Sequence, residues 1–249
     1  MYTELLLKGR LQHFVSAIER NALEAAVLDT IELAPRTNFV ERGERLKISY
    51  YVLQGEVGRY IDSETGNRHL IGINIAGDFI DLHGFAMKRH DHSISSIGHV
   101  KLARIPHDRI AHMVDQYPSL GDVLWVSALL DAAMHREWIF RLGCLKSERR
   151  IAHFISECIE RVRLVGLYDG RKFPFRLIQD DFAQACGMSP VHANRCFQSL
   201  YNRGFLCLPK AGKLEILDEE GLRRLGEFDG SYLYAGSPLG IDNLEDRMD

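Results

Sequence analysis

The fold class that the sequence predicts is α+β: an N-terminal antiparallel β-roll (jelly-roll-like), a long dimerisation helix, and a C-terminal winged helix-turn-helix. Three observations predict it. Between Phe39 and Ile105, short apolar runs are punctuated by Gly43, Gly55, Gly58, Gly66, Gly72, Gly77, Gly84 and Gly98, the texture of a small antiparallel barrel or jelly roll. After Pro106 the apolar spacing returns to three and four residues and stays helical to about Leu164. Gln179 to Leu206 then divides into two amphipathic segments about a glycine, with two strand-like runs after them.

At the N-terminus, Leu11, Phe14, Val15 and Ile18, then Leu23, Ala26 and Val27, predict one or two short helices over Leu11 to Leu33. Ile48 to Leu53, Val57 to Ile61, Leu70 to Ile75 and Val100 to Ile105 have strand length, and Glu64-Thr65-Gly66-Asn67 has turn chemistry. A short helix is expected near Asp108 to Gln116, with Ser119 capping a long one that runs to about Leu142. Leu120, Val123, Leu124, Val126, Leu129, Leu130, Met134, Trp138, Ile139 and Leu142 cover more than one stripe of that helix. Such a helix packs on its own barrel and on a second copy of itself, and Val123, Val126, Leu130, Met134 and Trp138 are the expected dimer contacts. A further helix over Ser147 to Leu164 carries Ile151, Phe154, Ile155, Ile159 and Val162 inward.

The 249 residues carry 46% hydrophobic and 26% charged side chains, enough for packed domains and against extended disorder or fibrous repeats. The net charge of −3 averages unlike parts. Lys146 to Lys213 holds 12 basic and 6 acidic residues, whereas Glu215 to Asp249 holds 3 and 10. A basic block before an acidic tail suggests an anionic partner for one segment. No apolar run reaches the roughly 18–20 residues of a membrane span, and the N-terminus is too short in apolar residues for a signal sequence, so a cytoplasmic protein without membrane contact is expected. Five cysteines, an odd number without C-x-x-C spacing, read as free thiols.

In Gln179 to Leu206, Phe182, Ala183 and Cys186 face inward on a first helix that stops at Gly187. Ser189 caps the second and Pro190 takes its first position, where the missing N–H costs nothing. Ala193, Cys196, Phe197 and Leu200 make the buried stripe, leaving His192, Arg195, Gln198, Ser199 and Asn202 outward. This is the form that enters a major groove. Arg195 suits guanine O6 and N7, His192 and Gln198 can contact bases, and Val191 can meet a thymine methyl. Ser189, Gln179 and Arg203, with Lys210 and Lys213 on the hairpin wing, would hold phosphates of double-stranded DNA.

The whole arrangement, over roughly Ala34 to Leu217, resembles the Crp/Fnr family of bacterial transcription regulators. Tyr50 to Asp81 is similar to that family's cyclic-nucleotide-binding-type β-roll, with Gly77-Asp78-Phe79, Gly55, Gly58 and Gly187-Met188-Ser189 as the best correspondences. The resemblance implies a homodimer on a two-fold symmetric operator, RNA polymerase as a partner, and no enzymatic activity. It divides the chain into a sensor domain at 1–118, a dimerisation helix at 119–145, a DNA-binding domain at 146–235 and an acidic, disordered tail at 236–249. The effector pocket would comprise Gly77, Asp78, Phe79, Asp81, Leu82, His92 and Ser93.

Two effectors of the family are disfavoured. Leu82 stands where cyclic-AMP-binding members have a glutamate for the ribose, and His92-Ser93 where they have Arg-Ser for the phosphate. No cysteine precedes Cys144, against an iron–sulfur cluster. No cofactor is therefore expected. His90-Asp91-His92, six residues after Gly84, matches the opening of a cupin metal motif, but Ser96 and Ile97 stand where its glutamate belongs. A solvated polar loop including His83 is the expectation there, with a metal-dependent enzyme as the alternative. A constitutive regulator with a vestigial pocket is the second alternative.

Overall fold

The computed structural model describes residues 1–234 except 11, 13, 14, 65, 67, 171, 174, 211 and 212, with backbone alone at 208–210 and 213. Leu11, Phe14, part of the 64–67 turn and the acidic tail lie outside the described residues. The first helix, α1 (Ala17–Ala26), opens with a reciprocal capping box in which Ser16 Oγ accepts from the Glu19 amide and the Glu19 carboxylate accepts from that of Ser16.

The expected helix does not continue to Leu33. Asp29–Leu33 is strand β1, paired antiparallel with β7 (Val100–Pro106) from Asp29 opposite Arg104 to Leu33 opposite Val100. The ladder overrides the local spacing, and β-branched Thr30 and Ile31 suit it. Three strands, β1, β7 and β3 (Ile48–Gln54), form one sheet. The other runs β2 (Asn38–Val40), β6 (Ser93–Ser96), β4 (Glu56–Asp62), β5 (Arg68–Ile75). Val40, Val52, Val57, Ile80, Ile94, Val100 and Leu102 form an apolar core of this β-roll. A short helix that the sequence did not announce, α2 (Leu82–Met87), lies before β6.

Helix α3 (His107–Gln116) leads into α4 (Pro118–Cys144). Ser119 does not cap α4; the helix starts at Pro118 and the Ser119 hydroxyl donates to Glu19 of α1 instead. The expected dimer contacts on α4 need correction. Val123, Leu130, Met134 and Trp138 are buried within the protomer and Val126 is half-buried against it. At 100° per residue these positions share the inward face, because the β-roll on one stretch and the C-terminal domain on the next both claim it. The outward apolar side chains are Trp125, 65% exposed, Leu129, Ile139, Phe140 and Leu142.

Beyond α4 come α5 (Ser147–Leu164), α6 (Gln179–Ala185), α7 (Pro190–Asn202), the hairpin β8 (Leu206–Lys210) and β9 (Lys213–Ile216), α8 (Glu219–Leu225) and a 3-10 turn, Gly230–Leu233. This domain is docked on the β-roll. Tyr60, Leu70, Ile73, Ile75 and Ile97 share one core with Phe154, Phe182 and Phe197, and Arg36 makes a two-pronged ion pair with Asp181 at 2.6 and 2.7 Å.

Buried charge accompanies the apolar contact. Glu157 on α5 accepts from Trp138 Nε1 at 3.1 Å and faces Arg141 at 3.5 Å and Arg161 at 3.8 Å. Arg141 also donates to the Ala185 carbonyl at 3.0 Å, and Arg161 to Asp78 at 2.7 Å. All five cysteines are free; Cys158, Cys186 and Cys196 are buried and Cys144 is exposed. None of the helices among the described residues is long and apolar enough to cross a membrane.

Candidate functional site

Helices α6 and α7 meet around Gly187, whose φ of +59° reverses the chain and whose missing Cβ leaves room for Leu142 of α4. Ser189 Oγ then accepts from the His192 amide at 3.2 Å and Pro190 opens α7. Ala193, Cys196, Phe197 and Leu200 are buried as their spacing predicts. Val191, His192, Asn194, Arg195, Gln198 and Asn202 are exposed on the other side.

The outward residues are held differently. Among the described residues, the side chains of Arg195 and Gln198 are exposed and take no part in any hydrogen bond or ion pair, so both are available to a ligand. His192 Nε2 lies 2.9 Å from Ser147 Oγ, which fixes the ring toward α5. Gln179 Oε1 accepts from Asn194 at 3.3 Å. The Glu148 carboxylate accepts from Ser199 at 2.8 Å and pairs with Arg203 at 2.7 Å, so Arg203 meets a phosphate only in competition with Glu148. Lys210 and Lys213 face one another across the hairpin; their side chains lie outside the described residues. Part of the basic block is paired internally: Arg149 with Glu227, and Arg163 with Glu160 and Glu219.

The second candidate site is a cavity of about 490 Å³ between the β-roll and α4. Phe79, Leu82, His83, Arg89, Asp91 and His92 line it from the roll, and Ser127, Ala128, Asp131 and His135 from the helix. Arg59 and Asp131 pair across it. Burial pushes the Asp131 carboxyl up, but the Arg59 guanidinium outweighs that and holds it at about 2. Of the expected pocket residues, Phe79, Leu82 and His92 line this cavity and four do not. Asp78 is turned away to Arg161 and the Ile75 amide, with Gly77 beside it. Ser93 Oγ accepts from the Arg42 amide, and Asp81 is sealed beneath α2, accepting from the Tyr50 amide at 3.0 Å. Of these four only Ser93 follows α2, a helix the ungapped register did not contain; Gly77, Asp78 and Asp81 precede it and are turned away by their own partners.

The expectation of a solvated histidine loop is also corrected. His90 is 2% exposed and His92 4%, packed with half-buried His83 at ring-centre separations of 4.9, 5.1 and 5.6 Å. Burial first, and then the neighbouring imidazoles, pushes His90 down to about 4; burial and Arg59 do the same to His92. His153 on α5 is likewise buried, with Nδ1 3.0 Å from the Gly226 carbonyl.

A profile of the Cyclic nucleotide-binding domain matches residues 30–117, and one of the Crp-like helix-turn-helix domain matches residues 149–225, together about two thirds of the chain. The nitrogen fixation regulation protein FixK of Bradyrhizobium diazoefficiens is 25% identical over 206 residues, covering 80% of this chain and 85% of that protein. The transcriptional regulatory protein btr of Bordetella pertussis is 20% identical over 84% of this chain and 86% of its own. The solved structure of FixK2 from Bradyrhizobium japonicum superposes with a TM-score of 0.71 at 16% identity, covering 79% of this chain and 96% of that one, a likeness of fold.

Proposed function

We infer, from the premise that this chain belongs to the Crp/Fnr family of DNA-binding transcription regulators, that it works in the cytoplasm as a homodimer reading a two-fold symmetric operator. The observation that carries this reading is the exposed face of α7, where Arg195 and Gln198 stand unpaired beside a capped, proline-started helix end and ahead of a hairpin wing. The apolar stripe Trp125, Leu129, Ile139 and Phe140 supports α4 as the contact between protomers, since a helix in water does not leave such a row uncovered. Two copies of α7 would then enter successive major grooves about 34–36 Å apart. RNA polymerase is the further partner of a regulator bound in this way.

Arg195 reads a guanine, with Gln198, His192 and Val191 beside it; Ser189, Gln179, Arg203, Lys210 and Lys213 hold phosphates. The cavity beside α4 supports control by a small ligand over constitutive binding, because its two walls are the sensor roll and the helix expected to join the protomers. Its walls offer Leu82 and His92 in place of a ribose acceptor and a phosphate fork, so we assign no cyclic AMP to it.

Selection of random duplexes by the purified protein, followed by sequencing, tests the reading. An enriched inverted repeat with half-sites one helical turn apart is the expected result. Arg195→Ala should weaken operator binding by roughly 1–3 kcal/mol and relax one position, while Lys213→Ala should weaken all sequences alike and flatten the salt dependence. Equal loss on operator and random DNA for Arg195→Ala would overturn the base-reading assignment.

A further inference from the structure

We propose that His83, His90 and His92 form a three-imidazole site for a divalent transition metal of the zinc and cobalt class, with an open coordination position toward the cavity that faces α4. Each histidine offers one ring nitrogen, and these three atoms lie within 4.8 Å of one another. What points to a ligand is that His83 Nε2, both nitrogens of His90 and His92 Nε2 are buried without a hydrogen-bond partner, Asp91 Oδ1 standing no closer than 3.7 Å to His83 Nε2. Buried polar atoms are paired in the great majority of cases, and here four ring nitrogens of one cluster are not. An imidazole always has a lone pair on one nitrogen when neutral, which is the form that binds metal.

The surroundings are those of a ligating set. Asp91 Oδ1 lies 2.7 Å from His92 Nδ1, so it fixes that ring and leaves Nε2 toward the cluster, the carboxylate–histidine arrangement that supports metal ligands. Behind His90, an oxygen of the fully buried Asp81, itself without a partner, stands 3.8 Å from Nε2. Gly84 of α2 makes room for the ring: a Cβ there would come within 2.7 Å of His90 Nε2. Zinc–nitrogen bonds of about 2.0–2.1 Å hold tetrahedral ligand atoms roughly 3.4 Å apart, so the rings must close by up to about 1.4 Å. His83, half-buried at the start of α2, is the ring with room to move. Imidazoles select the borderline metals over calcium or magnesium. With three protein donors, a fourth position is left for water or a small anion on the cavity side, where His83, Asp91 and His92 face Asp131 and His135 of α4.

Coupling of the metal to DNA binding rests on the proposed regulator; the metal site itself does not. The test is therefore made in two arms on the full chain. In the first, cobalt(II) is titrated into the protein without DNA, following its d–d absorption and the bound stoichiometry. One cobalt per protomer is expected, displaced by zinc, with affinity falling at least about 100-fold in His90→Leu and His83→Ala and about 10–100-fold in Asp91→Asn. His112→Ala and His153→Asn should bind as the wild type does. His83→Ala changes a half-buried side chain, so it guards against loss of fold in His90→Leu, checked by circular dichroism. Absence of binding in the wild type, or equal affinity in all variants, overturns the site. In the second arm, operator affinity is compared with cobalt and with chelator: a change abolished by His83→Ala supports coupling through α4, and an unchanged affinity with cobalt bound overturns it.

Discussion

Glu157 and the three histidines of the sensor roll both bury polar groups, but they complete them differently. Around Glu157, on α5, the carboxylate meets Trp138, Arg141 and Arg161, and the guanidinium ends continue to Ala185 and Asp78; the charges are met, and what is left over among the described residues is the Nε of each arginine, with Arg10 Nε and the Tyr232 hydroxyl nearby. Around His90, four ring nitrogens and an Asp81 oxygen are left over within one small cluster. Satisfied burial fixes geometry, here the seat of the DNA-binding domain against α4 and the β-roll. Unsatisfied burial costs free energy unless something else completes it, which marks the second cluster as a place where a ligand is missing from the chain's own inventory.

The largest effect that separates the two is expected at Glu157. Glu157→Ala leaves Arg141 and Arg161 buried with one carboxylate fewer, so the protein should lose about 3–5 kcal/mol in urea denaturation. A loss below about 1 kcal/mol would mean that water enters and that the cluster is not the keystone of the domain contact.

A smaller effect is expected at Glu56, which sits between the two types. It is buried at the start of β4 with Oε2 unpaired, and burial pushes it up to about 7 against the partial relief of Arg176. Its folded pKa lies above the unfolded value near 4.5, so its contribution is fully favourable below 4.5 and is lost as pH rises through 7. Glu56→Gln removes that loss. The advantage of the variant over the wild type should grow by roughly 2–3 kcal/mol between pH 5 and pH 8, read from denaturation midpoints at the two pH values. Equal differences at both would show that folding leaves the Glu56 carboxyl hydrated, with no raised pKa.

The same contrast governs what the sequence made legible. Four strands, the two long helices and the α6–Gly187–α7 unit were legible because each writes its own period and stops at its own glycine or proline. The stretch Asp29–Leu33 misled because the partner that makes it a strand is β7, seventy residues on, and Ser93–Ser96 escaped because three serines around a single isoleucine carry no alternation. Base-reading candidates could be named from α7 alone, since exposure there follows from helical phase. The partners of His192 and Arg203 could not, as both come from the start of α5. On α4 the apolar surplus was legible and its direction was not: two domains claim the face of Val123 and Trp138, and only their docking shows that Trp125, Leu129 and Ile139 are the residues left over. The histidine loop failed for a related reason. Polar letters read as solvated, whereas α2, which carries His83 and packs Gly84 on the His90 ring, helps to bury them.

The smallest effect is the one that distinguishes the two clusters most directly. His90→Leu replaces a buried ring that satisfies neither nitrogen with an apolar side chain of smaller but comparable size. In chelator the lost packing and the removed orphans work against each other, so stability should change by less than about 1 kcal/mol, against the 3–5 kcal/mol at Glu157. With cobalt at a hundred times its dissociation constant, binding to the folded state alone should raise wild-type stability by about 2.7 kcal/mol and leave His90→Leu where it was. A large loss in chelator would instead make His90 a structural residue of the same kind as Glu157, with hydration or packing completing what the histidine cluster leaves open.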